Sequence, residues 1–395
     1  VSAGYIKGYY YKPRIDKDIL YVSINGRVDA SNASEAEASI IALKNENADK
    51  HLVIDADGLE YISSAGLRVI LRLRKENPKL AVINVASDVY EVFDMTGFTD
   101  MINIQKAYRR LSIDGCEMLG KGANGAVYRY DEETIVKTYH NVDSLPEIQQ
   151  ERENARIAFI NGVNTAIPYG IVRIGEGYGT VTELLNATSI SKMIKNDPTN
   201  LETPAKFYVD MIKNIHSINL EAGVIPDAKE TVLNWAEFVA PKLPEAEGKK
   251  LIKLVSEIPD STNMIHGDYH TNNIMVRNEE ALLIDMDTLS TGHPVIELGS
   301  MFNAFVGYGE TDHNITLDFL GFPYDVAEKF WRIALKMYLG TDSDDVVNSV
   351  EEKAMIIGYT RMMRRAIRRN ESEEKIKRCY DQLIKLLNKV DTLNF

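Results

Sequence analysis

Apolar and polar positions alternate in more than one rhythm along the 395 residues. ILYVSI, residues 19–24, is a short apolar run that predicts a buried strand; the polar NGRVDASNA reads as a turn, and SEAEASIIALKNENA has helical spacing. HLVID, residues 51–55, begins the same order again: after DGLEYISSAG, the segment LRVILRLRKEN puts Leu67, Ile70, Leu71 and Leu73 on roughly one helical face. LAVINVA, residues 80–86, is a third strand, and SDVYEVFDMTGF reads as a short helix capped by Ser87 or Asp88. Strand and helix alternate in this way up to about Ala107, which predicts an α/β sandwich.

From YRRLSIDGCEMLGKGANGAVYRYDEETIVKTYH onward, short alternating runs joined by turns predict an antiparallel sheet. A helix, EIQQERENARIAFI, and a strand, GYGTVTELL, follow; the rest is helical in pattern except for MIHGDYHTNNIMVRNEEALLIDMD. The boundary falls near 107–112, giving a first domain at 1–107 and a second at 113–395. The second is bilobal and α+β, with a small β-rich lobe at about 113–186 and a mainly helical lobe at about 187–395.

Composition narrows the function classes. With 45% apolar and 26% charged residues the chain is an ordinary globular one, long enough for two to three domains. A net charge of −13 argues against a non-specific binder of nucleic acid or anionic membrane. Cys116 and Cys379 are far apart and outside any CxxC, so neither a disulfide framework nor a cysteine zinc site is expected, and a reducing cytoplasm suits them. No run of about 18 apolar residues occurs, and VSAGYIKGYYYKPRID lacks signal-peptide order, so the expectation is a soluble protein that is not exported.

Gly120, Gly122 and Gly125 spell GxGxxG, a weak motif alone. Here the flanking AVYRY and TIVKTY keep β character, so the glycines sit in a strand-loop-strand hairpin of the kinase kind, and Val127 matches the next position of GxGxxGxV. Lys137 in IVKTY is the expected ammonium for nucleotide phosphates. It needs an acidic partner on the next helix, for which we take Glu153, with Glu151, on nearly the same arc, as the alternative. The strongest signal is HGDYHTNN, in which Asp268 and Asn273 have the five-residue separation of HRDxxxxN, with Asp285 twelve residues further on at the end of an apolar run. One carboxylate must orient a hydroxyl and accept its proton, while an amide and a second carboxylate hold Mg²⁺ on the phosphates. Asp268, Asn273 and Asp285 fit those roles. His266 and His270 flank a turn rather than share a helix face, which makes zinc a poor fit, and His266 reads as a scaffold residue. Asp287 is either a further metal ligand or a polar strand end.

On HGDYHTNN and LLIDMDTLSTGHP, residues 113–395 resemble the aminoglycoside phosphotransferase and choline kinase-like branch of the protein kinase-like fold. The resemblance implies ATP and Mg²⁺, Asp268 as catalytic base, Asn273 and Asp285 on the metal, and Glu183 and Leu185 among the nucleotide-binding residues. Three features depart from that branch: the loop LGKGANGAVYR is more like that of Ser/Thr protein kinases, Met286 stands where an aromatic is common, and His293 where Asp is frequent. On NGRVDASNA, LVIDADGLEYISSAGLRVIL and VINVASDVYEVFDMTGF, residues 15–106 resemble a STAS domain, the fold of anti-sigma factor antagonists. That implies a protein partner and a regulatory phosphosite at Ser64, with Ser63 adjacent; both serines are equally natural helix caps before AGLRVIL.

These readings combine into a bacterial cytoplasmic Mg·ATP-dependent phosphotransferase acting on a hydroxyl of a small molecule or protein, with a STAS domain that recruits or senses a partner. The alternative is a non-catalytic nucleotide-binding adaptor in a partner switch. Transfer to the chain's own Ser64 is a further expectation. The run RMMRRAIRRN gathers Arg361, Arg364, Arg365, Arg368 and Arg369 on a helix, plainly read as a solvated face and alternatively as a contact for an acidic or phosphorylated partner.

Overall fold

The computed structural model describes residues 13–122, 125–142, 144–166 and 168–395. These form two compact units, one ending at Leu111 and one running Ser112–Phe395.

The first unit runs β1 (Pro13–Asp16), β2 (Ile19–Val28), α1 (Ala33–Glu46), β3 (His51–Ile62), α2 (Ser64–Glu76), β4 (Ala81–Val85), α3 (Ser87–Met95) and β5 (Asn103–Lys106). Its sheet has the order β1-β2-β3-β4-β5, parallel except for the β1/β2 hairpin. Leu20, Val22, Ile54, Val82 and Phe93 are its fully buried centre. Three expectations are corrected here. Residues 25–28 are strand rather than turn, because they pair with residues 58–62 at the far end of β3, itself longer than HLVID. Helix α3 starts from Ala86, which makes no side-chain cap, so neither Ser87 nor Asp88 caps it. On α2 the buried stripe is Leu67, Val69, Ile70 and Leu73, with Leu71 only half-buried.

The second unit opens with β6 (Glu117–Lys121), β7 (Gly125–Arg129), β8 (Thr134–Tyr139), α4 (Leu145–Ile160), β9 (Pro168–Ile174) and β10 (Gly177–Glu183). Its antiparallel sheet has the order β6-β7-β8-β10-β9. A helical part follows: β11 (Thr188–Ser189), α5 (Ile190–Asn196), α6 (Glu202–Ser217), α7 (Ala228–Val239), α8 (Glu245–Ser256), β12 (Met264–Ile265), β13 (Ile274–Arg277), β14 (Glu280–Leu283), β15 (Ser290–Thr291), α9 (Pro294–Phe305), α10 (His313–Leu320), α11 (Tyr324–Leu339), α12 (Asp344–Arg368) and α13 (Glu373–Leu387). Helix α9 is buried along nearly all its length, and Tyr208, Phe330 and Trp331 pack on its Phe305. His293, the departure in TGHP, caps α9 by accepting the Val295 amide at Nδ1, 3.2 Å. No helix among the described residues is long and apolar enough to cross a membrane.

Buried His216, at the end of α6, sets a pH dependence. Its Nδ1 lies 2.8 Å from the Tyr338 hydroxyl, Nε2 has no partner, and burial, then the charge of His293, lowers its pKa from 6.5 to about 3. The native state therefore takes up fewer protons than the unfolded chain between those values, and stability falls as pH drops through 6.5. From pH 7 to pH 5 this group alone costs about 2 kcal/mol. Denaturant midpoints at the two pH values should show a larger drop for the wild type than for His216→Asn.

Candidate active site

The site is assembled where β8, α4 and the two turns around β13 and β14 meet. Lys137 on β8 reaches Glu151 Oε1 of α4 at 2.7 Å and Asp285 Oδ1 at 3.0 Å. The Tyr139 hydroxyl donates to the other Glu151 oxygen at 2.8 Å. Partial burial opposes the Lys137 charge, but Asp285 and Glu151 outweigh it and hold the ammonium well above its ordinary range. Glu153, the expected partner, faces away and pairs with Arg156 at 2.6 Å. Two residues subtend about 200° on a helix, so the two glutamates do not share an arc; Glu151 continues the buried stripe of Ile148, Ala155 and Ala158, and Glu153 does not. Glu151→Gln should lower kcat/KM for ATP about 10²-fold, the scale of a misplaced reacting group, while Glu153→Gln stays within about twofold; steady-state kinetics on both check this.

Gly125 is required by the sheet: a Cβ there would lie 1.7 Å from the Thr138 carbonyl oxygen. At Gly120 and Gly122 a Cβ would meet nothing within 4 Å, so packing does not explain those glycines. Ala123 and Asn124, between them and Gly125, lie outside the described residues. A cleft of about 680 Å³ is lined by Gly120, Val127, Lys137, Glu183, Leu185 and Asp285 among others. Its lining includes Asn272 but not Asn273 or Asp268.

Asp268 sits in a turn held from several sides. Buried Glu297 accepts the His266 amide and, at 3.0 Å, the Gly267 amide. Gly267 has φ +83°, and a Cβ there would press to 2.7 Å on the Thr288 carbonyl oxygen, so this position needs glycine. His266 is the scaffold residue expected: Nδ1 accepts the Asp268 amide at 3.3 Å and Nε2 faces the Ile284 carbonyl at 3.2 Å. Tyr269 and Tyr208 exchange hydroxyl-to-carbonyl bonds of 2.6 and 3.0 Å, locking the turn to α6. Partial burial raises the Asp268 pKa, but the hydrogen bond and charge of His270, then Arg361 and His266, bring it down to about 2. His270 Nε2 stands 3.5 Å from Asp268 Oδ2. The Asn273 amide donates to the Asp268 carbonyl at 3.0 Å, and its backbone carbonyl accepts from Ile284, beside Asp285.

Asp285 occupies the left-handed region at φ 66°, a strained conformation for a side chain, and the next carbonyl, of Met286, accepts Asn154 of α4 at 2.8 Å. Met286 itself is buried, filling core space. Desolvation, then the charges of Asp285 and Glu151, push Asp287 up to about 6. The donors available to a cation here are hard oxygens, the Asp285 carboxylate and the Asn273 side-chain carbonyl. That set fits Mg²⁺, which takes one or two protein oxygens and completes its shell with water and phosphate. Among the described residues no three His, Cys, Asp or Glu side chains gather as a complete metal set. Sequence reasoning missed that Glu297 and Tyr208 hold the Asp268 turn, that Ser300 and Arg361 donate to its Gly267 carbonyl, and that Asn154 holds the Met286 carbonyl, all contacts between residues distant in the chain.

In the first unit, Ser63 is the N-cap of α2, accepting the Ala65 amide at 3.2 Å. Ser64 begins the helix, is exposed, and accepts from Arg68 Nη2 at 3.3 Å.

Comparison with known proteins agrees with this division. Residues 10–111 match the STAS domain family and residues 116–319 the phosphotransferase enzyme family. A Bordetella bronchiseptica protein designated anti-sigma factor antagonist BtrV is 33% identical over 90 residues, covering 22% of this chain and 77% of that protein. Similar solved structures include aminoglycoside phosphotransferase APH(4)-Ia with ADP and hygromycin B, at 9% identity and TM-score 0.48 over 69% of this chain and 93% of that one. Another is ADP-bound APH(2'')-Ib, at 15% identity and TM-score 0.49 over 76% and 99%. With its family match spanning more than half its length, this chain belongs to the phosphotransferase enzyme family, and it carries a STAS domain ahead of the kinase-like fold.

Proposed function

We propose that the second unit transfers the γ-phosphate of ATP to a hydroxyl group in the presence of Mg²⁺, and that the STAS domain serves a protein partner in the cytoplasm. The observation that carries this reading is the bridge of Lys137 to both Glu151 and Asp285 at one end of a 680 Å³ cleft, adjoining the turn that bears Asp268 and Asn273. Lys137 is poised to exchange its carboxylate contacts for phosphate oxygens, and the open surroundings of Gly120 and Gly122 let the phosphates approach the backbone with no side chain in the way.

In this reading Asp268 accepts a hydrogen bond from the acceptor hydroxyl and aligns its oxygen with the γ-phosphorus. The new O–P bond forms as the bond from phosphorus to the β–γ bridging oxygen breaks; the hydroxyl proton passes to Asp268 and ADP leaves. Asn273 and Asp285 would hold Mg²⁺, which when bound supplies charge neutralisation on the phosphates. In the first unit, Ser64 is the better phosphate acceptor of the two serines, since Ser63 is committed to capping α2 while Ser64 is exposed with Arg68 to meet an added charge.

The test is incubation of the full chain with Mg·ATP and a panel of hydroxyl compounds, reading ADP and intact mass together for the wild type and Ser64→Ala. ADP formed only with an added acceptor supports transfer to that acceptor. A mass gain of one phosphate that Ser64→Ala lacks supports transfer to Ser64. Bound ATP with neither outcome contradicts the reading and favours a nucleotide-binding adaptor.

A further inference from the structure

Resting on the phosphotransferase reading, we propose that the acceptor is an anionic hydroxyl compound, one carrying a phosphate or carboxylate that docks on an arginine stripe of α12 leading away from the Asp268 turn.

Arg361, Arg364, Arg365 and Arg368 stand at i, i+3, i+4 and i+7, on one face of α12 over about 10 Å of its length. The inner end meets the catalytic turn: Arg361 Nη1 donates to the Gly267 carbonyl at 3.2 Å and to Ser300 Oγ at 2.6 Å, one residue before Asp268. Aromatic rings floor the stripe, with Trp235 of α7 5.6 Å from the Arg361 guanidinium and Tyr308 5.1 Å from that of Arg365. Aromatic faces hold planar guanidinium groups in place while leaving their N–H edges outward, the arrangement suited to forked contact with phosphate or carboxylate.

The chain carries −13 overall, so acids to neutralise these arginines are plentiful, yet of the bordering ones Glu371 is shared between the stripe and a lysine and Glu310 is engaged elsewhere. Glu371 serves Arg365 at 3.6 Å and Lys375 at 3.1 Å, and Glu310 serves Arg378 at 3.1 Å and the Tyr359 hydroxyl at 2.7 Å. Among the described residues Arg364 and Arg368 form no ion pair. Partial burial and then the charge of Arg368 lower the pKa of Arg364 below the usual arginine value. A solvated helix face does not need four arginines aligned with a catalytic turn, nor does it half-bury one beside another. A bound anion would relieve both, and a polycationic acceptor would be repelled.

The full chain, saturated with AMP-PNP to block the nucleotide phosphate site, is titrated calorimetrically with inorganic phosphate, glucose, glucose 6-phosphate, glucuronate and kanamycin. Glucose 6-phosphate or glucuronate should bind at least tenfold more tightly than glucose, inorganic phosphate should compete, and kanamycin should bind no better than glucose. The better of the two anions tells phosphate from carboxylate. The double variant Arg364→Gln/Arg368→Gln should lose the preference while its affinity for AMP-PNP and its thermal midpoint stay at wild-type values. Tight kanamycin binding, no preference for either anion, or a preference that survives the double variant overturns the proposal. ADP formation from ATP is read separately. An anion preference without turnover contradicts the phosphotransferase reading and leaves the stripe an anion site, whereas turnover on kanamycin upholds that reading and rejects the stripe.

Discussion

Asp268→Asn is expected to lower kcat for phosphotransfer about 10³-fold, in the middle of the range for loss of a positioned acid or base, with ATP affinity changed by less than about threefold. The reasons lie in the turn. Asn preserves the size of the side chain, so the His266 bond to the residue 268 amide, the Asn273 bond to its carbonyl and the Glu297 clamp all survive. What is lost is a carboxylate held ionised by its neighbours, and with it both the acceptor for the hydroxyl hydrogen bond and a place for the proton. Because the cleft proposed for the nucleotide is lined by other residues, binding should be spared. Single-turnover kinetics beside an ATP titration separate the two effects. A variant that loses both equally would show that Asp268 acts on the nucleotide instead.

The second large effect is structural. Glu297 is fully buried, and its carboxylate is the acceptor for the backbone amides of both His266 and Gly267. Burial raises the Glu297 pKa, against the opposing charge of His266 and those backbone bonds. Glu297→Ala leaves two buried N–H groups without partners and opens a cavity among the apolar residues of α9, at a combined cost of about 3–5 kcal/mol. Glu297→Gln keeps a carbonyl oxygen in reach of both amides and should cost less than half as much. Urea midpoints for the three proteins check the order. Where Glu297→Gln remains folded, a kcat defect beyond its small stability loss would show that the clamp also sets the position of Asp268.

Legibility followed the distance along the chain over which each feature is built. HGDYHTNN and Asp285 could be read because their chemistry is local: a turn and the strand ends after it bring Asp268, Asn273 and Asp285 to one place. The glycine loop could be read through its β flanks, although only the structure separates Gly125, fixed by Thr138, from Gly120 and Gly122, which packing leaves free. The choice of Glu153 over Glu151 was a failure of helical phase, and the signal was present in the stripe of Ile148, Ala155 and Ala158. The extension of β2 and β3 was hidden because residues 25–28 and 55–61 are largely polar, so cross-strand pairing, not hydrophobic period, makes them strand. Glu297 gave no signal at all, since a single acid inside PVIELGSMFNAF looks like the polar side of a helix until its neighbours are known. Arg361 is separated from Gly267 by 94 residues, and only the fold shows that one end of the arginine run meets the turn that bears Asp268.

The most direct test of the central claim is the rate of ADP formation from ATP by the full chain, measured against Mg²⁺ concentration with a saturating acceptor, for the wild type and for Asp285→Asn. The site described here predicts turnover that requires Mg²⁺ in the wild type and falls at least 10²-fold in Asp285→Asn while the fold is retained. Equal rates in the two proteins, or ATP binding without ADP formation at any Mg²⁺ concentration, would contradict it.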